Sequence, residues 1–306
     1  MTTPLASIFG SGFLVIVSVL GESVGPYSVF AMAGVCALAF SVGMVVRYNI
    51  RHAEPVLQQE NPPRLITIFS TVAQAALIAA YVISVALYVR ILASYALGFF
   101  NVKSNFDERL LTTAVIGLVL LMALTKGLTA LEAGKKWALG TTVLIIIVLI
   151  CAFGVYDIHA LTSGHLVLPA FPQKGGYWHM ITVLAGTLIV VQGFETTRYL
   201  GDQFDAQARV RAARDAQIVS SLVYLLLVGL ATPLMQFLPK QAQADALMHL
   251  AGIVAFWLTY PLVLTAVLSQ FSAAIADAIS GSGSLIEVTR RKISARLTYI
   301  LICLAA

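Results

Sequence analysis

One apolar run carries a carboxylate near its middle, in the segment Gln192-Gly193-Phe194-Glu195. Eleven apolar or small residues, 181–191, precede this segment, so Glu195 would lie at mid-depth of a membrane span. A charge at the bilayer centre costs roughly 2.5–3.5 kcal/mol on insertion scales, so such a residue marks a functional site by default. The alternative is a helix that ends early, with Glu195 and Arg198 paired at the surface. Eleven residues are too short to span a bilayer, which favours a broken helix.

An earlier apolar run, 4–20, is interrupted by Gly10-Ser11-Gly12. Two glycines permit an unwound backbone, and its freed amides would bind an anionic group at the start of the next half-helix. The alternative is that the small residues let helices pack closely. Backbone groups in hydrocarbon must be paired, so a true break needs surrounding protein or a wet cavity. Paired breaks in two halves of a chain are typical of transporter binding sites.

Three hydroxyl-bearing residues are weaker candidates. Tyr81 lies near mid-depth of a long apolar run, where its hydroxyl would suit contact with a substrate, although core packing is the common role. Ser269 and Ser272 would offer oxygens to a hard cation such as sodium, although serines in membrane helices often serve packing. The histidines and cysteines show no metal-ligand spacing. The sequence therefore predicts no enzyme and no cofactor, apart from a coupling Na+ or H+.

Membrane-spanning helices would position all of these residues. The 306 residues are 59% hydrophobic and 11% charged, with a mean hydropathy of +0.90, whereas soluble domains carry about 25% charged residues. A spanning helix needs about 20 apolar residues, and a ninth run of ten residues is too short, so the chain is expected to be a fragment. The predicted spans are 4–20, 25–46, 65–97, 110–124, 137–155, 181–200, 218–238 and 250–279, followed by the start of a ninth at 297–306. The sequence thus predicts an all-α polytopic membrane protein.

Basic residues alternate between the ends of these predicted spans. If the N-terminus is cytoplasmic, the loops after spans two, four, six and eight carry most of the 19 lysines and arginines. The positive-inside rule therefore predicts a cytoplasmic N-terminus and a multi-pass protein of the inner cell membrane. The expected partners are a small-molecule substrate and the lipid bilayer, but not nucleic acid, despite a net charge of +5. The oligomeric state stays open.

The order of these motifs resembles the amino acid–polyamine–organocation (APC) superfamily of transporters. Residues 8–14 are similar to the family's Gly-Ser-Gly segment in helix one, and Gly193-Phe194-Glu195 is similar to its Gly-Phe-Glu in helix six. Gly25-Pro26 and Glu54-Pro55 also match the family in type and place. Two departures are clear. The family's Ser-Gly-Gly after helix two is missing, and 141–153 lacks the lysine that many proton-coupled relatives carry in helix five.

The resemblance implies a five-plus-five inverted-repeat fold with discontinuous helices 1 and 6. It divides the chain into a first repeat (1–155), an external loop (156–180) and an incomplete second repeat (181–306). It also implies secondary active transport of amino acids or related small organic amines by alternating access, with a coupled ion or by exchange. The alternative is a channel or receptor-like membrane protein on the same fold. The predicted substrate-binding residues are Gly10, Ser11, Gly12, Tyr81, Gln192, Gly193, Phe194 and Glu195.

Overall fold

A computed structural model describes residues 2–59, 61–102, 104–125, 129–171, 176–201, 204–238, 244–289 and 292–306. Within these ranges the regular structure is helical and there is no strand. The helices of the first half are α1 (Thr2–Ser11), α2 (Phe13–Ser23), α3 (Ser28–Tyr48), α4 (Glu54–Leu57), α5 (Arg64–Phe99), α6 (Asn105–Thr125) and α7 (Thr129–Thr162). Those of the second half are α8 (Tyr177–Gly186), α9 (Ala206–Ala231), α10 (Ala246–Val254), α11 (Thr259–Val288) and α12 (Ala295–Ala305).

Five helical segments of the described chain are long and apolar enough to cross a membrane. The bent pair α1–α2 raises this number to six if the two helices form one broken span. The prediction of an all-α polytopic membrane protein is confirmed. The five segments are Gly25–Leu57, Arg64–Phe99, Trp137–Thr162, Ala206–Ala231 and Phe256–Val288.

The predicted eighth span, 250–279, is wrong at its start. The structure divides this run at Ala255, whose backbone is extended (φ −159°, ψ 119°), so that α10 is a separate short helix. The long helix α11 begins only at Thr259, and Pro261 lies in its first turn rather than inside it. Proline is tolerated there because the first N–H groups of a helix have no intrahelical acceptor.

Helices α5 and α11 form a long antiparallel pair. The Gln74 amide donates to the Glu287 carboxylate at 2.8 Å near one end of the pair. The rings of Phe99 and Tyr260 meet at the other end, with their centroids 5.6 Å apart. Residue numbers rise along α5 in the direction in which they fall along α11. Each residue of α11 can therefore be matched to a residue of α5 at the same depth.

Helices α3 and α9 form a second antiparallel pair. The Gln217 side chain of α9 inserts against Gly43 of α3, where a β-carbon would collide with it. Gln217 also donates to the carbonyl of Ala39 at 2.8 Å and accepts from Arg47. A buried amide with both of its groups paired can be tolerated inside a helical bundle. These two pairs frame the short broken segments that meet between them.

Candidate functional site

The first break separates α1 from α2 at Gly12, and the axes of the two segments are bent by 45°. A β-carbon on Gly12 would lie 2.6 Å from the Cα atom of Val190 and closer still to its side chain. Glycine is therefore required because the backbone of a second segment passes directly over this position. The side chain of Ser11 lies outside the part of the chain that the structure describes.

The second break lies between two 3-10 segments, Thr187–Val191 and Phe194–Leu200. Gln192 is extended (φ −74°, ψ 156°), and Gly193 has a positive φ of +134°, which L side chains rarely adopt. A β-carbon on Gly193 would lie 2.7 Å from the Ile8 nitrogen. Each break therefore presses its glycine against the backbone of the other broken segment.

Glu195 stabilises the second break through its own neighbours. One carboxylate oxygen accepts from the Gly193 N–H at 2.8 Å, and the other accepts from the Gln192 amide at 3.1 Å. The carboxylate is buried, with 7% of the residue exposed. The alternative of a surface pair between Glu195 and Arg198 is not what forms, because the Arg198 guanidinium lies 4.0 Å from Glu54 instead.

Side chains from other helices stabilise the first break. The Tyr224 hydroxyl of α9 lies 2.9 Å from the Ile8 carbonyl and 3.2 Å from the Val190 carbonyl, so it joins both breaks. The Gln270 amide of α11 donates to the Gly10 carbonyl, and Tyr224 and Gln270 are completely buried. Neither residue was predicted from the sequence. A signal was present for Gln270, because its amide lies in an apolar run between Ser269 and Ser272, the predicted cation ligands.

The remaining predicted residues fall at different distances from the breaks. Ser269 is buried against Gly10, with its carbonyl oxygen 3.4 Å from the place of a Gly10 β-carbon. Its hydroxyl donates to the Ala266 carbonyl at 3.3 Å, and Ser272 lies half-buried on the next turn. Tyr81 is completely buried and packs on Gly281 of α11. Eleven residues separate Gly281 from Gln270, which is about 16 Å along a helix.

Two cavities flank the second break. The first, of 620 Å³, is lined by α2, by the C-terminal half of α5 and by residues around Val190. The second, of 490 Å³, is lined by Gln192, Phe194 and Glu195 together with apolar residues of α3 and α5. Ile189 lines both cavities, so the 3-10 segment before the break forms part of the wall between them.

An ion-pair network ties the end of the second broken segment to its neighbours. The Arg209 guanidinium of α9 donates to both carboxylate oxygens of Glu54, at 2.8 and 3.2 Å. It also donates to the Arg198 carbonyl at 3.1 Å, and Arg198 itself donates to the Ser70 hydroxyl at 3.4 Å. Paired hydrogen bonds between a guanidinium and a carboxylate fix geometry as well as charge. The network therefore holds the segment Phe194–Leu200 against α4, α5 and α9.

Comparisons with known proteins agree with the motifs. A family model described as an APC superfamily transporter matches residues 1–306. An uncharacterized protein of Aquifex aeolicus (strain VF5) is 35% identical over 303 residues, which are 98% of this chain and 73% of that relative. The resemblance predicted from the two breaks and their flanking motifs is confirmed over the whole chain.

Proposed function

The chain belongs to the APC superfamily of transporters, and we propose that it is a secondary active carrier of amino acids or related small organic amines. The observation that carries this proposal is the contact between the two breaks, Gly12 against Val190 and Gly193 against Ile8. Helix breaks free backbone donors and acceptors, which bind polar solutes in the middle of a membrane. Because the family is one of transporters, we propose no enzymatic activity.

We propose a five-plus-five inverted repeat for the chain. Its support is that the two most extensive helix pairs, α5 with α11 and α3 with α9, join span n to span n+5. The two broken spans, one and six, are also in contact. We place the repeats at 1–155 and 181–306, with the external loop at 156–180. The flanking helices extend past these limits, because α7 continues to Thr162 and α8 begins at Tyr177.

The two ends of an amino acid would be bound by different breaks. The first N–H groups of α2 have no acceptor within the helix, and the positive end of the helix dipole lies there. We propose that these amides, next to Ser11 and Gly12, hold the carboxylate of the solute. The Glu195 carboxylate, with Gln192 and Gly193, would face the amine. Gly12 contacts Val190 and Gly193 contacts Ile8, so the two breaks that would carry these groups adjoin each other.

The two cavities support alternating access across this site. Both are lined by Ile189, so a movement of the broken segment could open the site to one cavity while closing it to the other. We propose that the first cavity is external and the second is cytoplasmic. This assignment follows a cytoplasmic N-terminus in the inner cell membrane, as the distribution of basic residues favours.

Counterflow uptake into proteoliposomes tests the carrier against a channel. Vesicles preloaded with a candidate amino acid or amine, chosen by a thermal-shift screen, are diluted into a trace of the labelled compound. We expect a transient accumulation of label above equilibrium, because a carrier exchanges one bound solute for another. A simple approach to equilibrium, with no overshoot for any compound that raises Tm, would instead support the channel or receptor-like alternative.

A further inference from the structure

The two cavities that flank the second break differ in the polarity of their walls. Among the described residues that line the first cavity, three carry a carboxylate and one carries a guanidinium: Glu22, Glu108, Asp245 and Arg90. A cleft with an excess of negative charge raises the local concentration of cationic solutes. The first cavity therefore favours a solute that carries an amine.

The wall of the second cavity is mostly apolar. Ten of the 14 described residues that line this cavity of 490 Å³ are apolar, and seven of the ten belong to α3 and α5: Ala39, Val42, Val46, Ala73, Ala76, Leu77 and Ala80. The four residues of α5 follow the spacing of a single helix face. A cavity of about 300–1,000 Å³ with apolar walls and a few fixed polar groups is typical of a binding site for a small molecule.

Glu195 provides the carboxylate of the second cavity. Its two oxygens accept from the Gly193 N–H and from the Gln192 amide, and both of these donors are neutral. These bonds hold the carboxylate in place without balancing its negative charge. A protonated amine would balance that charge, and the part of the solute beside the amine would then contact the apolar wall.

Arg198 is the other charged residue in the described wall of the second cavity. Its guanidinium lies 4.0 Å from the Glu54 carboxylate, which already accepts two hydrogen bonds from Arg209. Two guanidinium groups and one carboxylate leave an excess of positive charge in this cluster. A second ammonium group on the solute would have to leave water for an apolar wall and approach this charge, and both steps are unfavourable.

We propose that the solute is an amine with a neutral, apolar side chain, whose ammonium group binds at Glu195 and whose side chain lies in the second cavity between α3 and α5. This inference rests on the proposed function and narrows its substrate class. Aliphatic and aromatic amino acids and alkylamines belong to the class. Polyamines and amino acids with a basic side chain do not.

A series of n-alkylamines tests the inference on the purified full chain without any transport step. The rise of Tm with ligand concentration gives an apparent affinity for each compound. From ethylamine to hexylamine we expect the affinity to increase by about two- to fourfold for each methylene, because each one is removed from water in the apolar cavity. Hexane-1,6-diamine should bind at least about tenfold more weakly than hexylamine, because its second charge would be buried.

The compound 1-hexanol is the matched control, because it has the same apolar chain without the amine. We expect it to leave Tm unchanged at the concentrations at which hexylamine raises it. An affinity that does not depend on chain length, or a diamine that binds as well as hexylamine, overturns the inference. A hexanol that stabilises the protein as well as hexylamine also overturns it, since the cavity would then bind apolar chains such as those of lipids without selecting an amine.

The variant Ala76→Phe locates the binding of the alkyl chain. Ala76 lines the second cavity, whereas the neighbouring exposed Ala75 is not among the residues of its wall. We expect Ala76→Phe to weaken hexylamine about tenfold and ethylamine less than about twofold, because the ring occupies the space of the longer chain. The control Ala75→Phe should leave both affinities unchanged. Equal affinities for hexylamine in the two variants would contradict the placement, and if Ala76→Phe does not fold, the wild-type series decides.

The outcome is separable from that of the proposed function. Counterflow of a diamine or of a basic amino acid, with no binding of the alkylamines, would contradict only the present inference. Binding of the alkylamine series as expected, without counterflow of any compound, would contradict the carrier proposal and would leave the assigned class of ligand in place.

Discussion

The two breaks that meet at the site are stabilised by different kinds of partner. The second break is held from within, because Glu195 accepts from the Gly193 N–H and from Gln192 only three residues away. The first break is held from outside, because its carbonyls depend on Tyr224 of α9 and on Gln270 of α11. The carboxylate bonds of the second break are therefore local, whereas the Ile8 and Gly10 carbonyls of the first break depend on neighbouring helices. The Val190 carbonyl of the second break shares Tyr224 with the first.

This difference has a mechanical consequence. A break whose hydrogen bonds are local can move as a unit, since its own bonds move with it. A break that is tied to α9 and α11 must lose those bonds whenever it moves away from either helix. We therefore expect the segment around Gly193 to keep its shape during a rocking movement, and the segment around Gly10 to report on the position of its neighbours.

The largest expected effect is on the close contact that both breaks share. Gly193→Ala would place a side chain at φ +134° and 2.7 Å from the Ile8 nitrogen. Strain and overpacking together should cost roughly 3 kcal/mol or more. Thermal unfolding of the purified protein should show a large fall in Tm and loss of solute binding. Gly34→Ala, at an exposed position with open space around it, is the control. Equal Tm values for the two variants would mean that the breaks are not in tight contact.

Glu195→Gln tests whether the second break is stabilised locally. An amide has only one acceptor oxygen, so either Gly193 or Gln192 loses its partner, at a cost of about 1.5–3 kcal/mol for a hydrogen bond to a charged group. Because the carboxylate also faces the proposed amine, we expect uptake to fall about tenfold or more. Each 1.4 kcal/mol lost in the transition state lowers a rate about tenfold. Insertion and expression should match the exposed control Glu287→Gln. Unchanged uptake kinetics would remove Glu195 from the site.

Tyr224→Phe tests whether one hydroxyl joins the two breaks. Its removal takes away the one hydrogen that the carbonyls of Ile8 and Val190 share, which should cost about 1–3 kcal/mol in the free energy of unfolding. The exposed Tyr260→Phe is the control. In a double-mutant cycle with Glu195→Gln we expect a coupling of at least ~0.5 kcal/mol, because the Val190 carbonyl belongs to the second break. Strictly additive effects would mean that the two breaks are independent.

Tyr81→Phe should have the smallest effect on solute binding. Tyr81 packs on Gly281, about 16 Å along α11 from the Gln270 that contacts the first break. We expect the apparent affinity for a transported solute to change by less than about twofold, or roughly 0.4 kcal/mol. Uptake measured over a range of concentrations checks this expectation. A marked rise in the half-saturating concentration would restore Tyr81 to the substrate-binding residues predicted from the sequence.

Much of the fold could be read from the sequence because membrane spans are a local property. Twenty apolar residues identify a span whatever lies beside it. The second break could also be predicted from the sequence, since Gln192, Gly193 and Glu195 lie close together in the chain and form hydrogen bonds with one another. The separate helix α10 was missed because Ala255, where the chain turns, is an ordinary apolar residue without glycine or proline beside it.

What the sequence alone determined is therefore the family, the helical class and the positions at which two spans break, all of which rest on contiguous residues. The tertiary structure alone decided which side chains hold those breaks together. Tyr224 and Gln270 are distant in the chain from the carbonyls that they contact, and their hydroxyl and amide groups have no visible role until α9 and α11 pack against the broken segments. The physical reason is that a freed carbonyl in a membrane must have a donor, but its position in the sequence does not say which helix provides it.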